Sequence, residues 1–498
     1  MKRIASVAIG LGAIAITLIP VSAANTPTDQ SVTPGIGRVG HLTFQGSTTV
    51  GPIIQAAASA YNTAKGSTII LNDTTNIVQN GSGFGQNAIT LTIGDGAALG
   101  HIATDIGMSS GVVNTTTFSD VQSTAIARDG MVFIVNETSA DWTGHKILNV
   151  TVGQIDDIYE GRVNNWNQIT DPITGVVGPT LAIGVRAREI GSGTRNSWKD
   201  SVGLTQTDSD SSPAANTENY VIVNSGFGRL TAMADMQNAI NASTASGQCG
   251  YVGLGDSTGT GITFTAVNLL KNTLVKNGTG TITAPTNAGT AAAGTQLKPG
   301  ANTVNVATAG TVVVTTPVGT TGTVTSGTAT VTGAPVSLPA ATATTVTVSG
   351  TGTIIVTLTM TVSYAPNGVN IYSGNYPFSR FLWLMTNTNA TTGSKSFANY
   401  ANITDFITWM RTTDGAGQAA VKSVGFLPLY AAQDVTTDGK VDVLDLIGVG
   451  NKVGSPATGA GRANVTGKTS GNVDVLDLIA VGNWVGTTFT ADPTTPLP

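Results

Sequence analysis

Two clusters of small hydroxyl residues, Gly46-Ser47-Thr48-Thr49 and Gly191-Ser192-Gly193-Thr194, stand where helices are predicted to begin, and a third, Ser109-Ser110, closes a predicted strand. A helix start presents unpaired backbone N–H groups and the positive end of the helix dipole. Such ends accept anions, and short hydroxyl side chains add donors without blocking the approach. Arg188, four residues before Ser192, supplies a formal charge on a planar fork that can grip two oxygens. The chemistry this points to is oxyanion binding. Taken singly, a Ser/Thr/Gly turn before a helix is usually just a cap.

A different chemistry sits near the C-terminus. Residues 441–454 read VDVLDLIGVGNKVG and residues 473–486 read VDVLDLIAVGNWVG, identical at twelve of fourteen positions at an offset of 32. A duplicated unit of this size is a supersecondary repeat. Ahead of the first copy, Asp434, Thr436, Asp438, Gly439, Lys440, Asp442 and Asp445 fall at positions 1, 3, 5, 6, 7, 9 and 12 of a calcium loop, with glycine at the sharp turn and Lys440 offering its carbonyl. The second copy is poorer. Counting back from Asp477 puts Thr466, Lys468 and Ser470 where acids belong; alternatively Asn464 opens a loop two residues longer, leaving Asp474 and Asp477. Ca²⁺ is expected in the first loop and weakly or not at all in the second, and no organic cofactor is implied.

The elements that must position these residues alternate between strand and helix. A strand at 41–44 leads into a helix with Val50, Ile53, Ile54, Ala57, Ala58 and Tyr61 on one face, Pro52 in its first turn and Gly66 at its end. Thr151 and Gln154 make a capping box ahead of Ile155, Ile158 and Tyr159. Strands are predicted at 181–185, 250–254 and 379–385, and helices from Asn196 and over 229–242, 395–411 and 416–424. This pattern predicts α/β lobes. Residues 282–365 break it: they are Thr/Val/Gly/Ala-rich, and between Lys276 and Arg380 the only charged residue is Lys298. Strand-length β-branched runs there predict a small β-sandwich, the alternative being an unfolded, glycan-coated stalk.

The ordered series Gly46–Val50, Asp105-Ile-Gly-Met-Ser-Ser110, Ile126-Ala-Arg-Asp-Gly130, Arg188-Glu-Ile-Gly-Ser-Gly-Thr-Arg195, Gly250-Tyr-Val-Gly253, Tyr376-Pro-Phe-Ser-Arg380 and Gly425-Phe-Leu-Pro428 resembles the phosphate-binding (PstS-like) solute-binding proteins of ABC transporters, over about 40–281 and 366–430. The resemblance implies a two-lobed periplasmic-binding-protein (type II) fold with the ligand buried between lobes. Ser47, Thr48, Thr49, Ser109 and Ser110 would come from one lobe and Arg188, Ser192, Gly193 and Thr194 from the other. It implies phosphate or another oxyanion as ligand and an ABC permease as partner. One departure stands out. Where many members carry an aspartate after the Asp-x-Gly-x-Ser segment, Ser110 stands here, and a hydroxyl-only ring tolerates sulfate as well as phosphate. The repeats over 434–486 resemble dockerins, which plug into cohesin domains, and imply a cohesin-like scaffold protein as partner.

The implied organisation is a signal peptide (1–24), a linker (25–40), the oxyanion-binding domain (40–281 and 366–430), the inserted module (282–365), the dockerin-like pair (434–486) and a tail (487–498). Met1-Lys2-Arg3, the apolar run to about Ile19, Pro20 and Val21-Ser22-Ala23 read as a cleaved signal peptide, so a secreted, cell-surface protein is expected. Ten Asn-x-Ser/Thr sequons, beginning at Asn72, Asn80, Asn114, Asn136, Asn149, Asn241, Asn277, Asn389, Asn402 and Asn464, make glycosylation an expectation. The 498 residues carry only 10% charged residues and a net charge of −5, with no basic run to hold nucleic acid. Single Cys249 allows no internal disulfide. Gly-x-Ser-x-Gly occurs at 107–111 and 255–259, but the three histidines (His41, His101, His145) form no zinc spacing and the context fits no hydrolase elbow, so no enzyme is expected. The rival to a solute receptor is a surface-layer or sheath protein that reuses the binding fold.

Overall fold

The computed structural model describes residues 31–33, 37–39, 41–74, 76–90, 104–113, 119–189, 192–204, 229–242, 244, 246–258, 261–282, 303–308, 313–314, 321–327, 336–338, 344–345, 352–388 and 400–491. The predicted signal peptide and most of the linker and tail lie outside them, as does His101.

The chain is mixed α/β. In its first part, β1 (Phe44–Gly46) is flanked in parallel by β2 (Ile77–Gln79) and β3 (Ile106–Ser109). Between β1 and β2 runs α1 (Gly51–Lys65). It buries Ile53, Ile54, Ala57, Ala58 and Tyr61, with Pro52 in its first turn, and Gly66 at φ 64° returns its amide to the carbonyls of Asn62 and Thr63. The apolar stripe predicted from spacing is therefore the buried face. α2 (Ser82–Thr90) follows β2 and packs on β3.

Strand β4 (Val121–Val135) joins two halves of the molecule. Ile126 and Ala127 belong to one apolar core with Phe44, the α1 face, Phe406 and Val421, whereas Met131, Phe133 and Val135 belong to another with Trp142, Trp166, Trp198 and Tyr251. The second half contains β5 (Asn149–Thr151), α3 (Val152–Tyr159), β6 (Gly184–Val185), α4 (Gly193–Val202), α5 (Met233–Asn241) and β7 (Gln248–Gly253). The Thr151–Gln154 capping box is present in both directions. α4 starts three residues earlier than periodicity predicts, because Ser192 caps it by accepting the Arg195 amide.

β8 (Asn268–Ile282) pairs in parallel with β5 and begins the Thr-rich region. β9 (Thr303–Thr308), β10 (Thr321–Gly327), β11 (Val336–Leu338) and β12 (Gly352–Tyr364) join it in a six-stranded sheet, β11-β10-β12-β8-β5, with β9 also on β12. The pairing Leu269↔Tyr364 roots the β8–β12 ribbon in the second half, thirteen residues before the boundary read from composition. The second face of a sandwich would involve side chains outside the described set.

After α6 (Gly368–Tyr372), β13 (Ser379–Asn387) returns beside β4, giving a continuous sheet ordered β2-β1-β3-β13-β4-β7-β6. β13 pairs with Val121–Gly130 of β4, and β7 pairs with Met131–Val135, so β4 changes partner at Gly130/Met131. α7 (Tyr400–Arg411) and α8 (Ala416–Ser423) complete the first half; residues 395–399 of the predicted helix lie outside the described residues.

The repeat forms two matching units, α9 (Val443–Gly450) and α10 (Val475–Gly482), around Val441, Val449, Val465, Val473 and Val481, with β14 (Lys440–Val441) on β15 (Thr487–Thr488). It is seated on the rest of the molecule. Arg128 of β4 donates to the carbonyls of Leu429 (3.0 Å) and Thr490 (2.7 Å), and its guanidinium lies over the rings of Tyr372 and Phe381. Tyr372 packs on Trp484 and Phe489, and Arg462 pairs with Asp414 at 2.6 Å.

No helix among the described residues is long and apolar enough to cross a membrane. Two sequons are spent internally: Asn136 donates to the carbonyls of Ile240 and Ala242, and Asn149 donates to Asp171. Both are buried and closed to glycan.

Replacing Arg128 with alanine removes two hydrogen bonds from a charged donor, worth about 1.5–3 kcal/mol each before relaxation. The expected outcome is cleavage of the 430–440 segment by a non-specific protease at least roughly tenfold faster than in the parent; an unchanged rate would show that Arg462 and the aromatic contacts hold the module alone.

Candidate functional site

The hydroxyl clusters meet between the two halves. β1 leads into Ser47, whose amide donates to the Met108 carbonyl of β3 at 3.0 Å. Its hydroxyl accepts the amides of Thr49 (3.1 Å) and Val50 (3.3 Å), shaping the turn into α1. That turn presents Thr48 and Thr49 toward the other half. Thr49 Oγ1 lies 3.1 Å from Thr194 Oγ1, and Thr194 Oγ1 lies 3.2 Å from Ser110 Oγ. Thr48 Oγ1 accepts from Arg188 Nη2 at 3.0 Å.

Ser82, at the start of α2, was not singled out by sequence. Its hydroxyl accepts the Ser110 amide at 3.0 Å and lies 3.3 Å from Ser110 Oγ. The signal was present: Gly81-Ser82-Gly83 before a helix has the form of Gly191-Ser192-Gly193. Gly193 closes the arrangement, since a Cβ there would stand 2.1 Å from Ser82 Oγ and 3.0 Å from Ser110 Oγ. Only a residue without a side chain lets the halves approach this closely.

Two expected residues serve the scaffold. Ser109 donates to the Gly111 carbonyl (2.8 Å) and accepts the Gly111 amide (3.2 Å), so its hydroxyl shapes its own turn. Ser192 Oγ caps α4 by accepting the Arg195 amide, which leaves its own O–H to donate. The structure thus brings together Thr48, Thr49, Ser82, Ser110, Gly193, Thr194 and Arg188, with Ser47, Ser109 and Ser192 shaping the turns.

Arg188 is fully buried at 0% exposure. Nε and Nη2 reach both oxygens of Glu189 at 2.9 Å, Nε also donates to Leu230 O and Nη2 to Thr231 O. Nη1 is buried with no hydrogen-bond partner. A buried N–H of a cation left unmade costs several kcal/mol, which marks a direction in which an acceptor is expected.

Behind the site, Asp129 and Arg380 form a buried pair at 2.6 Å, and Arg380 Nη1 donates to the Ser110 carbonyl at 3.1 Å. Asp129 Oδ1 also accepts the Leu254 amide. Nearby Asp256 is pushed up to about 6 by burial and by the charge of Asp129, with Arg380 and Arg188 pulling partly the other way.

The Gly-x-Ser-x-Gly serines are used locally, Ser109 on Gly111 and Ser257 on the Leu254 carbonyl at 2.7 Å, and His145 bonds the Val177 carbonyl.

In the first C-terminal loop, Asp434 and Asp445 are both fully buried. Asp434 accepts the amides of Asp438 and Gly439, and Asp445 accepts Thr436 and the Asp442 amide. Gly439 sits at φ 84°, as the sharp loop turn requires. No cationic side chain forms an ion pair with either carboxylate among the described residues. Asp438 and Asp442 instead accept the amides of Lys440 and Leu444, and no group of three or more His, Cys, Asp or Glu close enough to hold a metal ion occurs among the described residues. Two buried carboxylates without an ion-pair partner nevertheless fit a small hard cation. In the second loop Asn464, Asp474 and Asp477 surround Lys468.

Asp256 is easier to protonate in the fold, at about 6, than at its ordinary 3.8, so it favours folding below about pH 4 and loses that contribution as pH rises through about 6. Asp256→Asn is expected to raise the melting temperature above about pH 7 and to leave it unchanged below about pH 4; an equal shift at both would place the effect elsewhere.

A family model described as a PBP superfamily domain matches residues 26–412. Similar solved structures include an ABC-type phosphate transport receptor from Vibrio cholerae (16% identity, 78% of this chain and 99% of that chain, TM-score 0.41) and PstS from Borrelia burgdorferi (18%, 78% and 99%, 0.37). The ancestral soluble variant of the human phosphate binding protein is a third (13%, 78% and 91%, 0.43). No curated protein matches. The matched span includes every hydroxyl of the cluster and the buried arginine, and the chain belongs to the PBP superfamily.

Proposed function

We propose that this chain is an extracellular solute-binding protein that captures phosphate or a similar tetrahedral oxyanion between its two halves and serves ABC-type uptake. The observation that carries the reading is Arg188: a wholly buried guanidinium with Nη1 unpartnered, its Nη2 on Thr48, where hydroxyls from both halves converge. The hydroxyls now bond one another, and each can exchange that bond for one to an anion oxygen. Glu189 offsets the charge of Arg188, so selectivity rests on neutral donors. Hydrogen phosphate needs an acceptor for its proton and sulfate does not; hydroxyl oxygens both donate and accept, so the ring suits either. Ser110 contributes no carboxylate to repel a fully ionised anion.

The C-terminal pair is read as a dockerin-like tether with Ca²⁺ in its first loop. Asp434, Thr436, Asp438, Asp442 and Asp445, with the Lys440 carbonyl, supply the oxygens. Val443, Leu444 and Ile447 on α9 and Val475, Leu476 and Ile479 on α10 are each 50–60% exposed, a repeated apolar face of the kind a cohesin-like scaffold partner would cover. A surface-structural role is the second reading, favoured by a hydroxyl cluster that is already satisfied by its own members.

Calorimetric titration with phosphate, sulfate, molybdate and tungstate tests both. Expected are micromolar or tighter binding of phosphate, competition by sulfate, and a loss of roughly 100-fold in Arg188→Ala. Gly193→Ala should weaken binding by holding the halves apart. Silence toward all four anions, with the protein folded, leaves the structural reading.

A further inference from the structure

The two repeats have the same helices but opposite solutions to the charge in their loops. In the first, the Thr436 amide and hydroxyl both donate to Asp445 Oδ1, at 2.9 and 3.0 Å. In the second, the Thr466 amide and hydroxyl both donate to Asp477 Oδ1, at 2.9 and 2.7 Å. The Asp438 amide donates to Asp434 Oδ1, and the Lys468 amide to Asn464 Oδ1. By these contacts Asn464, Thr466 and Lys468 stand where Asp434, Thr436 and Asp438 stand, an offset of 30. The helix caps Asp442 and Asp474, and the buried Asp445 and Asp477, keep the offset of 32. The second loop has therefore taken up two extra residues between its fifth loop position, Lys468, and its helix.

At the position of Asp438, the second repeat places a lysine. Lys468 Nζ lies 2.7 Å from Asp474 Oδ1 and 2.8 Å from Asp477 Oδ2, and it donates to the Asn472 carbonyl at 3.3 Å. Asp477 is fully buried, as its counterpart Asp445 is. The first loop buries Asp434 and Asp445 with no ammonium on either among the described residues; the second sets an ammonium between its two carboxylates. A metal ion and Nζ cannot share that space, and three oxygen contacts are a full set for an ammonium.

We propose that the second repeat carries its own cation: Lys468 holds Asp474 and Asp477 in the arrangement that a calcium ion would otherwise impose, so the module folds as a pair with one metal loop and one lysine-closed loop. The extra two residues give Lys468 the reach to return over the helix start. The inference rests on the calcium reading of the first loop only for its metal count; the role of Lys468 stands apart from it.

The test uses the full chain. Calcium titration monitored by calorimetry and native mass spectrometry should give one Ca²⁺ per chain, lost in Asp445→Asn. Lys468→Asp should raise the count to two. Lys468→Met, melted with EDTA present so that metal cannot contribute, should lower the module's transition by several degrees, whereas Lys452→Met, on the exposed side of the first repeat, should not. Two ions in the parent, or an EDTA melting profile of Lys468→Met equal to the parent's, overturns the proposal. No calcium in the parent together with a destabilised Lys468→Met would reject the calcium reading of the first loop and keep the lysine-closed second loop.

Discussion

The arrangement depends on one buried ion pair. Asp129 lies where β4 leaves the first core for the second, and it receives Arg380 from the neighbouring strand at 2.6 Å and the Leu254 amide from the far half. Arg380 then reaches the Ser110 carbonyl, so the strand crossing and the hydroxyl cluster are braced by the same guanidinium. Removing one partner of such a pair strands a buried charge and typically costs about 3–5 kcal/mol. Both partners are therefore committed, and the geometry of the cleft follows from the place where the strand changes cores.

In the proposed anion site, neutral groups carry most of the task in a chain with few charges. Ser and Thr hydroxyls donate and accept, so they can remain satisfied by one another while keeping the ability to turn toward a ligand. Arg188 is different. Its planar fork cannot satisfy every N–H from Glu189, Leu230, Thr231 and Thr48, and Nη1 is the direction left over. Flexible neutral donors and one rigid, incompletely satisfied cation divide the work between adaptability and direction.

Much of the fold was legible because it is carried by local rules. The α1 face, its Gly66 terminus and the Thr151 capping box are statements about neighbours three or four residues apart, and each stands as spaced. The α4 boundary was less so, since Ser192 begins the helix as its cap, accepting the Arg195 amide three residues ahead of the predicted start. Ser82 escaped notice because a single Gly-Ser-Gly turn is ordinary; what makes it part of the cluster is Gly193, distant in sequence and brought within a hydroxyl's reach. Composition changes near residue 282, whereas the hydrogen-bonded ribbon that carries the Thr-rich region starts at 269, where the residues still look like lobe. In the C-terminal repeat the sequence offered two registers for the second loop, one of them two residues longer from Asn464, and Lys468 acquires meaning only once Asp474 and Asp477 are seen around it.

The seat of the C-terminal module has a mechanical consequence. Arg128, which grips Leu429 and Thr490, is two residues from the point where β4 passes from one core to the other, and the module's remaining contacts divide between Asp414 on one side and Tyr372 on the other. Were this module the tether proposed above, the receptor would hang from the strand crossing rather than from the far end of either half.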